Sequence, residues 1–249
     1  MKKTLFLLVA LCSAFTYAQE TFKHEPVANK AEYYAGSYNE RKDMDDLLDW
    51  AAKFKDWQNE SGIYDSMSTS LLVPYFIQNT AAADVVWLNI WPSSTAQYKG
   101  LENWLTNGGE LMAKLPITNS QVVDTWQWAI STPEGEGTIG MVRYSDCKLK
   151  DGVSARQAFD AYKDFATAAK DKGDNLGRKM IFPTAGGNQG DHDYVYTLYA
   201  NKVSELGAAA DLYWAEINGS DEDLALNEVI ESCTNSRMYS SIDIKVATN

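Results

Sequence analysis

The sequence predicts an α+β fold in which one chain contains two copies of a β-α-β-β-α-β unit. The first observation is an internal repeat, in which Lys42 and Asp43 align with Lys150 and Asp151. The second is that strand-like and helix-like segments follow the same order around both positions, as expected of a duplicated unit. The third is composition, because 45% hydrophobic and 12% aromatic residues supply a core for a chain of this length.

The first unit covers residues 31–132. It opens with a strand-like segment, followed by a helix with Asp43 as N-cap and apolar residues at helical spacing. Two runs rich in aromatic and β-branched residues then predict a pair of strands. The expected elements are strands at 31–41, 70–77, 85–91 and 125–131, with helices that begin after Asp43 and near Ser93.

The second unit, residues 137–249, follows a short linker at residues 133–136 and repeats this order. Its first helix begins at Ser154, and Gln157 three positions later completes a capping-box pattern. The expected elements are strands at 137–147, 179–183, 194–200 and 238–247, with helices from Ser154 and at 202–217 and 221–231.

Each unit has the ferredoxin-like order, in which a four-stranded antiparallel sheet carries both helices on one face. The other face is apolar and bare, so another layer must cover it. We therefore expect the two antiparallel sheets to pack face to face, with the helices outside.

This duplicated order over residues 31–247 resembles the dimeric α/β-barrel superfamily in its single-chain tandem form. The segments WLNIWPSS, GLENW, YSDCKLKDG and ESCTNS resemble, more closely, a group of uncharacterised exported proteins of marine bacteria, from which no activity can be carried over. The superfamily includes monooxygenases, haem enzymes such as chlorite dismutase, and small-ligand binders. The resemblance implies the fold and does not select one function.

Alternation along residues 85–91 places Val86, Leu88 and Ile90 on one face and Trp87, Asn89 and Trp91 on the other. We expect the first set to meet the helices and the second to lie between the sheets. The candidate pocket residues there are Trp87, Asn89, Trp91, Tyr194, Tyr196 and His192. Such a surface suits a small apolar or aromatic ligand, and simple core filling is the other interpretation.

Cys147 and Cys233 flank strands that should be antiparallel neighbours in the second unit. Cys147 ends the first strand and Cys233 precedes the last one, so the two thiols should lie close together. In an oxidising compartment this placement predicts a disulfide. Two separate buried thiols are the alternative.

The N-terminus predicts export. Residues 1–19 combine Lys2 and Lys3, an apolar run and small residues, which is the pattern of a secretory signal peptide. We expect cleavage near Ala18 or Gln19, a polar and mobile leader at residues 20–30, and a periplasmic or secreted mature protein. Lipid attachment at Cys12 would need a small residue where Leu11 stands. No later apolar run is long enough for a membrane anchor.

Charge and residue scarcity exclude several functions. The net charge of −12 argues against nucleic acid as a partner. The two histidines are His24, in the leader, and His192, whose neighbours Asp191 and Asp193 point away from it along a strand. We therefore expect no metal site and no cofactor. The resemblance to haem enzymes would need an axial histidine on a helix, and His192 does not stand there.

Two functional hypotheses follow. The first is a non-catalytic, exported protein that binds a small ligand or has a structural role, because no catalytic constellation is visible. The alternative is a cofactor-independent monooxygenase-like enzyme, whose chemistry needs few protein groups. We expect a monomer, because the two sheets cover each other within one chain.

Overall fold

The computed structural model describes residues 21–78, 82–137, 139–187 and 190–248. The expected signal peptide at residues 1–19 lies outside them. Within these ranges, no helix is long and apolar enough to cross a membrane. The elements are β1 (Val27–Tyr38), α1 (Met44–Ser61), β2 (Ser68–Phe76), β3 (Val85–Trp91), α2 (Ser94–Asn107), α3 (Gly109–Met112), β4 (Ile117–Ser131), β5 (Gly140–Leu149), α4 (Ala155–Asp171), β6 (Gly177–Ala185), β7 (Tyr194–Ala200), α5 (Val203–Leu212), a π-helical turn (Tyr213–Ile217), α6 (Asp221–Val229) and β8 (Ile230–Lys245).

The strands form one closed antiparallel barrel in the order β1-β3-β2-β8-β5-β7-β6-β4. Each half keeps the ferredoxin-like order, β4-β1-β3-β2 and β8-β5-β7-β6, so the predicted fold class is confirmed. The halves also join edge to edge, because β2 pairs with β8 and β4 pairs with β6. This pairing satisfies backbone groups that two separate sheets would leave open at their edges.

Local sequence signals set the limits of the helices. Asp43 caps α1 in a capping box with Asp46, and Gly62 ends the helix with a left-handed φ of 63°. Ser154 and Gln157 form the predicted capping box of α4. These side chains satisfy backbone N–H groups that a helix leaves unpaired at its start.

The predicted facing of the strands is wrong. Val86 and Leu88 belong to the cluster inside the barrel, whereas Trp87 packs beneath α1 against Trp50 and Phe54. The sheet is buried on both faces, so hydrophobicity alone did not distinguish them. Side-chain size does not identify the inward face either, since the ring of Tyr144 lies inside the barrel and that of Trp50 lies in the layer under the helices.

The predicted disulfide between Cys147 and Cys233 is confirmed. The two residues are paired neighbours in the register of β5 and β8, and their sulfurs are bonded at 2.04 Å. The bridge fastens the last strand of the second half to its first strand.

Residues 22–24 of the predicted leader contact α4. The backbone N–H of His24 donates to Asp160 Oδ1, and His24 Nε2 lies 2.9 Å from Asp164 Oδ1. The Arg156 guanidinium lies 4.4 Å from the ring centre of Phe22. These contacts hold residues 22–24 against α4, and β1 begins at Val27, earlier than the predicted residue 31.

Candidate functional site

A cavity of about 210 Å³ lies between α1, α2 and the outward faces of β1, β3 and β4. The predicted pocket residues Trp87, Asn89 and Trp91 line it, although on the side of the sheet opposite to the one expected. Its aromatic wall consists of Tyr34, Trp50, Phe54, Tyr64, Trp87, Trp91 and Trp104. The size and the lining suit a small, flat, largely apolar molecule.

The aromatic wall follows from helical and strand periodicity. Trp50 and Phe54 are one helical turn apart on α1, so both point toward the sheet. Trp50 meets Trp87 edge to face, with ring centres 5.5 Å apart, and Phe54 meets Trp104 of α2 in the same way at 5.3 Å. Edge-to-face contacts of this kind fix ring orientation and keep the cavity in shape.

Glu32 supplies a carboxyl group to this wall and is only 6% exposed. Its Oε2 accepts hydrogen bonds from Asn89 Nδ2 and Trp91 Nε1, both at 3.3 Å. Its Oε1 accepts from Gln97 Nε2 at 3.0 Å. Strand alternation explains the placement, because Ala31, next to Glu32 on β1, points into the barrel instead.

The amide of Asn89 has a fixed orientation. Its Oδ1 accepts from Trp87 Nε1 at 2.8 Å and from Thr69 Oγ1 at 2.9 Å. The amide nitrogen is therefore directed at Glu32. One hydrogen-bond network around this carboxyl group contains the predicted pocket residues Trp87, Asn89 and Trp91.

A second carboxyl group, that of Asp124, extends the network. Gln97 Nε2 donates to Asp124 Oδ1 at 2.7 Å, and Lys30 Nζ donates to Asp124 Oδ2 at 2.6 Å. Burial raises the pKa of Asp124, but hydrogen bonds from Lys30, Thr184 and Gln97 outweigh it, and the net pKa lies below the ordinary value. Among the described residues, Lys30 is the cation paired with Asp124 in this network.

Two tyrosine hydroxyls on the cavity wall stay protonated at neutral pH. Burial raises the pKa of Tyr34, and the negative charge of Glu32 raises it further. Burial also raises the pKa of Tyr64, whose hydroxyl donates to the Gly100 carbonyl of α2 at 2.8 Å. Tyr34 is thus a neutral hydroxyl close to Glu32, and Tyr64 fastens α2 over the cavity.

The other predicted pocket residues lie elsewhere. The hydroxyl of Tyr194 lies 2.9 Å from that of Tyr162 on α4, and the ring of Tyr196 stacks on Tyr162 with ring centres 4.8 Å apart. Both tyrosines pack beneath the helices of the second half. His192 lines a separate cavity of about 330 Å³ at one end of the barrel interior. The structure does not bring these three residues to Trp87 and Asn89.

Sequence reasoning missed Glu32, Gln97, Asp124 and Lys30. A signal was present, because Lys30 and Glu32 are charged residues inside a strand whose neighbours Ala31 and Tyr33 are apolar or aromatic. Charged residues are rarely buried without a partner, so each one in such a strand indicates a polar network.

The cavity residues do not fit a haem group held by histidine. His24 is engaged with Asp164 on α4 and His192 lies in the other cavity, so neither reaches the aromatic wall. Tyr64, a different kind of axial ligand, donates its hydroxyl to a backbone carbonyl. Within the described part of the chain, no group of three or more His, Cys, Asp and Glu side chains is placed to hold a metal ion.

The sequence matches no protein-family model and no curated protein. Solved structures do match. A proposed monooxygenase from Lactobacillus acidophilus NCFM has a TM-score of 0.54 and 12% identity, and the match covers 89% of this chain and 96% of that one. This chain has the dimeric α+β barrel fold.

Two further solved structures are similar to this chain over most of its length. A proposed monooxygenase from Fusobacterium nucleatum has a TM-score of 0.54 at 9% identity over 91% of this chain and 96% of that one. A mutant chlorite dismutase from Candidatus Nitrospira defluvii has a TM-score of 0.50 at 8% identity over 90% and 94%. Because these neighbours are described as enzymes, the first functional hypothesis, a non-catalytic binding or structural protein, is corrected. The monooxygenase-like alternative agrees with them better.

Proposed function

We propose that this chain is a cofactor-independent, monooxygenase-like enzyme that acts on a small aromatic substrate in the 210 Å³ cavity. The observation that carries the proposal is the buried Glu32 carboxyl group at the edge of an otherwise aromatic wall. A carboxylate in such a place can accept a proton from a bound substrate. The proposed monooxygenases among the structural neighbours share the barrel and support this reaction class.

The geometry of Glu32 leaves Oε2 able to accept a proton. Its two hydrogen bonds, from Asn89 and Trp91, are 3.3 Å long, beyond the usual 2.7–3.2 Å range. Such contacts are weak, and a carboxylate oxygen has two lone pairs. Gln97 meanwhile holds Oε1 at 3.0 Å and fixes the orientation of the group. The orientation of the Glu32 carboxylate is therefore fixed, and its Oε2 can still accept a proton from a substrate.

Besides a proton acceptor, the proposed reaction requires a surface that holds a flat substrate and excludes water, and the aromatic rings provide it. Trp50, Phe54, Trp87 and Trp104 offer faces and edges to a planar molecule. Removal of a proton from an acidic C–H group leaves an electron-rich carbanion that reacts directly with O₂. For a methylene between two aromatic rings, one oxygen atom becomes the new C=O, and the other leaves as water with both methylene hydrogens. The substrate supplies all four electrons.

The test uses anthrone, a three-ring ketone with such a methylene. The full chain should accelerate O₂ consumption and formation of anthraquinone, measured with an oxygen electrode and by absorbance, above the rate without protein. Glu32→Gln should lower this rate by about 10²-fold or more, because the proton acceptor is lost. Glu102→Gln, the same change at an exposed position of α2, is the matched control and should keep the full rate.

Unchanged turnover in a folded Glu32→Gln variant would refute the role of Glu32. No acceleration of anthrone or of related one- and two-ring phenols and benzylic ketones by the wild-type chain would refute the oxygenase proposal. Circular dichroism and thermal unfolding of each variant separate a loss of chemistry from a loss of structure.

We also propose that the mature protein is exported and monomeric. The disulfide supports export, since such bonds persist in oxidising compartments. Barrel closure within one chain supports a monomer, because the described strands pair on both sides. Native mass spectrometry of protein recovered from its host tests both, and retention of residues 1–19 or a dimer mass would contradict the corresponding proposal.

A further inference from the structure

A third and larger cavity, of about 680 Å³, lies inside the barrel. It occupies the end where β5 begins and β8 ends, and it shares no lining residue with the aromatic cavity. Leu88, Ile90 and Val142 form an apolar part of its wall, and Ser70, Thr197 and Ser241 add hydroxyl groups. Exposed residues such as Glu136 and Val246, the latter 69% exposed, border it and mark its opening to solvent.

Lys179 of β6 projects into this cavity. It shares the inward face of the strand with Ile181, a member of the barrel core. Its Nζ donates to Gln127 Oε1 at 3.0 Å and lies 5.8 Å from the ring centre of Tyr199. Burial lowers the pKa of Lys179 to about 8, and no charged group of the described residues offsets this effect.

Lys245, the other lysine on this wall, is held differently. Its Nζ donates to the backbone carbonyls of Tyr64, Asp65 and Met67. An ammonium group has three donors, so Lys245 is fully engaged in joining the end of β8 to the chain before β2. Among the described residues, Lys179 Nζ has one hydrogen-bond partner, the neutral Gln127, so its amine is available for other chemistry.

The surroundings of Lys179 fix where its amine lies. Tyr199 packs directly on Gly177, where an added Cβ would lie 2.2 Å from the ring. The ring thereby reaches the position next to Nζ. Gln127, which accepts from Nζ, donates through Nε2 to the Tyr33 hydroxyl at 2.8 Å. The Tyr33 hydroxyl therefore lies one side chain away from the amine.

We propose that Lys179 is a covalent carbonyl-binding site, which forms an imine with a small aldehyde that enters the barrel cavity. The amine nitrogen attacks the carbonyl carbon to give a carbinolamine. Loss of water, made from the carbonyl oxygen and both amine hydrogens, leaves the C=N bond. The Leu88, Ile90 and Val142 surface accepts the aldehyde chain. This site lies beyond the proposed oxygenase reaction and in a different cavity.

The experiment traps the imine. The full chain is mixed with butanal and sodium cyanoborohydride, and peptide mass spectrometry follows the modification of each lysine with time at pH 6 to 9. At pH 7, Lys179 should be modified at least about tenfold faster than exposed lysines such as Lys53, because a lower pKa gives more neutral amine. Its rate should rise with pH and level off above about 8.

Variants make the test specific. Lys179→Arg keeps the positive charge and cannot form an imine, so the fast adduct should vanish, whereas Lys53→Arg should leave it unchanged. Glu32→Gln should also leave it unchanged, so this result is independent of the oxygenase proposal. Equal modification of exposed lysines and Lys179, or preferred modification of Lys245, would overturn the proposal.

Discussion

Lys30 is 2% exposed, and its ammonium group lies 2.6 Å from Asp124 Oδ2 inside the network that reaches Glu32. A buried ion pair gains little over an apolar pair of the same shape, but a single buried charge is costly. Thr184 donates to the same carboxylate oxygen as Lys30. At the scale of single residues, the candidate site therefore depends on a lysine that does not touch the cavity.

Replacement of Lys30 by Met should lower the free energy of unfolding at pH 7 by about 1.5–3 kcal/mol, because Asp124, which is partly exposed to solvent, loses its charged hydrogen-bond partner. In the wild type the lowered pKa of Asp124 contributes stability above its unfolded pKa of about 3.9, and this is lost on acidification. In the variant the two contributions of Lys30 that lower the pKa of Asp124 are lost, so less stability is lost on acidification and the difference in unfolding free energy between the two proteins should narrow. Urea unfolding from pH 3 to 7 measures both curves.

Lys42→Met is the matched control, since Lys42 and Asp46 form a half-exposed pair on α1. Its effect on the free energy of unfolding should be much smaller than that of Lys30→Met, because solvent screens an exposed ion pair. A difference between wild type and Lys30→Met that stays constant over the whole pH range would contradict this account.

At the scale of helices and strands, Gly100 shows how α2 and β3 fit together. A Cβ at this position would lie 2.2 Å from the indole ring of Trp91. The missing side chain lets α2 approach β3 and leaves the indole in place to donate to Glu32. In contrast, Gly207 lies exposed inside α5, and a Cβ there meets nothing within 4 Å.

Replacement of glycine by alanine should therefore have opposite effects on the stability of the protein at these two positions. Gly207→Ala should stabilise the protein by about 0.5–1 kcal/mol through helix propensity alone. Gly100→Ala gains the same propensity but displaces Trp91, and such overpacking costs about 1–3 kcal/mol. Thermal unfolding and tryptophan fluorescence of both variants measure this. An equal stabilisation by both changes would show that Trp91 has room to move.

Sequence patterns gave the order of the elements correctly and the facing of β3 incorrectly. Period-two alternation shows that Trp87, Asn89 and Trp91 share a face, and all three do line one cavity. It cannot say which face is inside when both are apolar. Glu32 was missed for another reason, because its partners Gln97 and Trp91 come from other elements, which only the tertiary structure brings together.

The Lys179 site inside the barrel is even harder to predict from the sequence. Lys179 is the first residue of the run KMIFP, and a lysine at the start of a strand is normally predicted to be exposed to solvent. Only closure of the barrel, through the pairing of β4 with β6, places its amine within hydrogen-bond distance of Gln127. The number of strands and their order were predictable from the repeat, but the depth of a side chain in the lumen depends on the pairing between the halves.

At the scale of the whole molecule, the barrel closes through pairs that are distant in sequence. β2 with β8 and β4 with β6 join the halves, and the Cys147–Cys233 bridge fastens β8 to β5. Long-range strand pairs carry a large loss of chain entropy on folding. A crosslink next to one of the closing strands reduces that loss in the unfolded chain.

The double variant Cys147→Ala/Cys233→Ala should therefore unfold more easily by about 4–5 kcal/mol, the chain-entropy value for a sequence separation of 86. Guanidinium unfolding of the variant, and of the wild type with and without reductant, measures the difference. Reduced wild type and the variant should have similar unfolding midpoints, because both lose the same crosslink.

Because β8 also lines the Lys179 cavity, imine trapping with butanal should be slower in the folded variant if the disulfide holds β8 in register. An unfolding free energy that reduction leaves unchanged would mean that β8 is held by strand pairing alone.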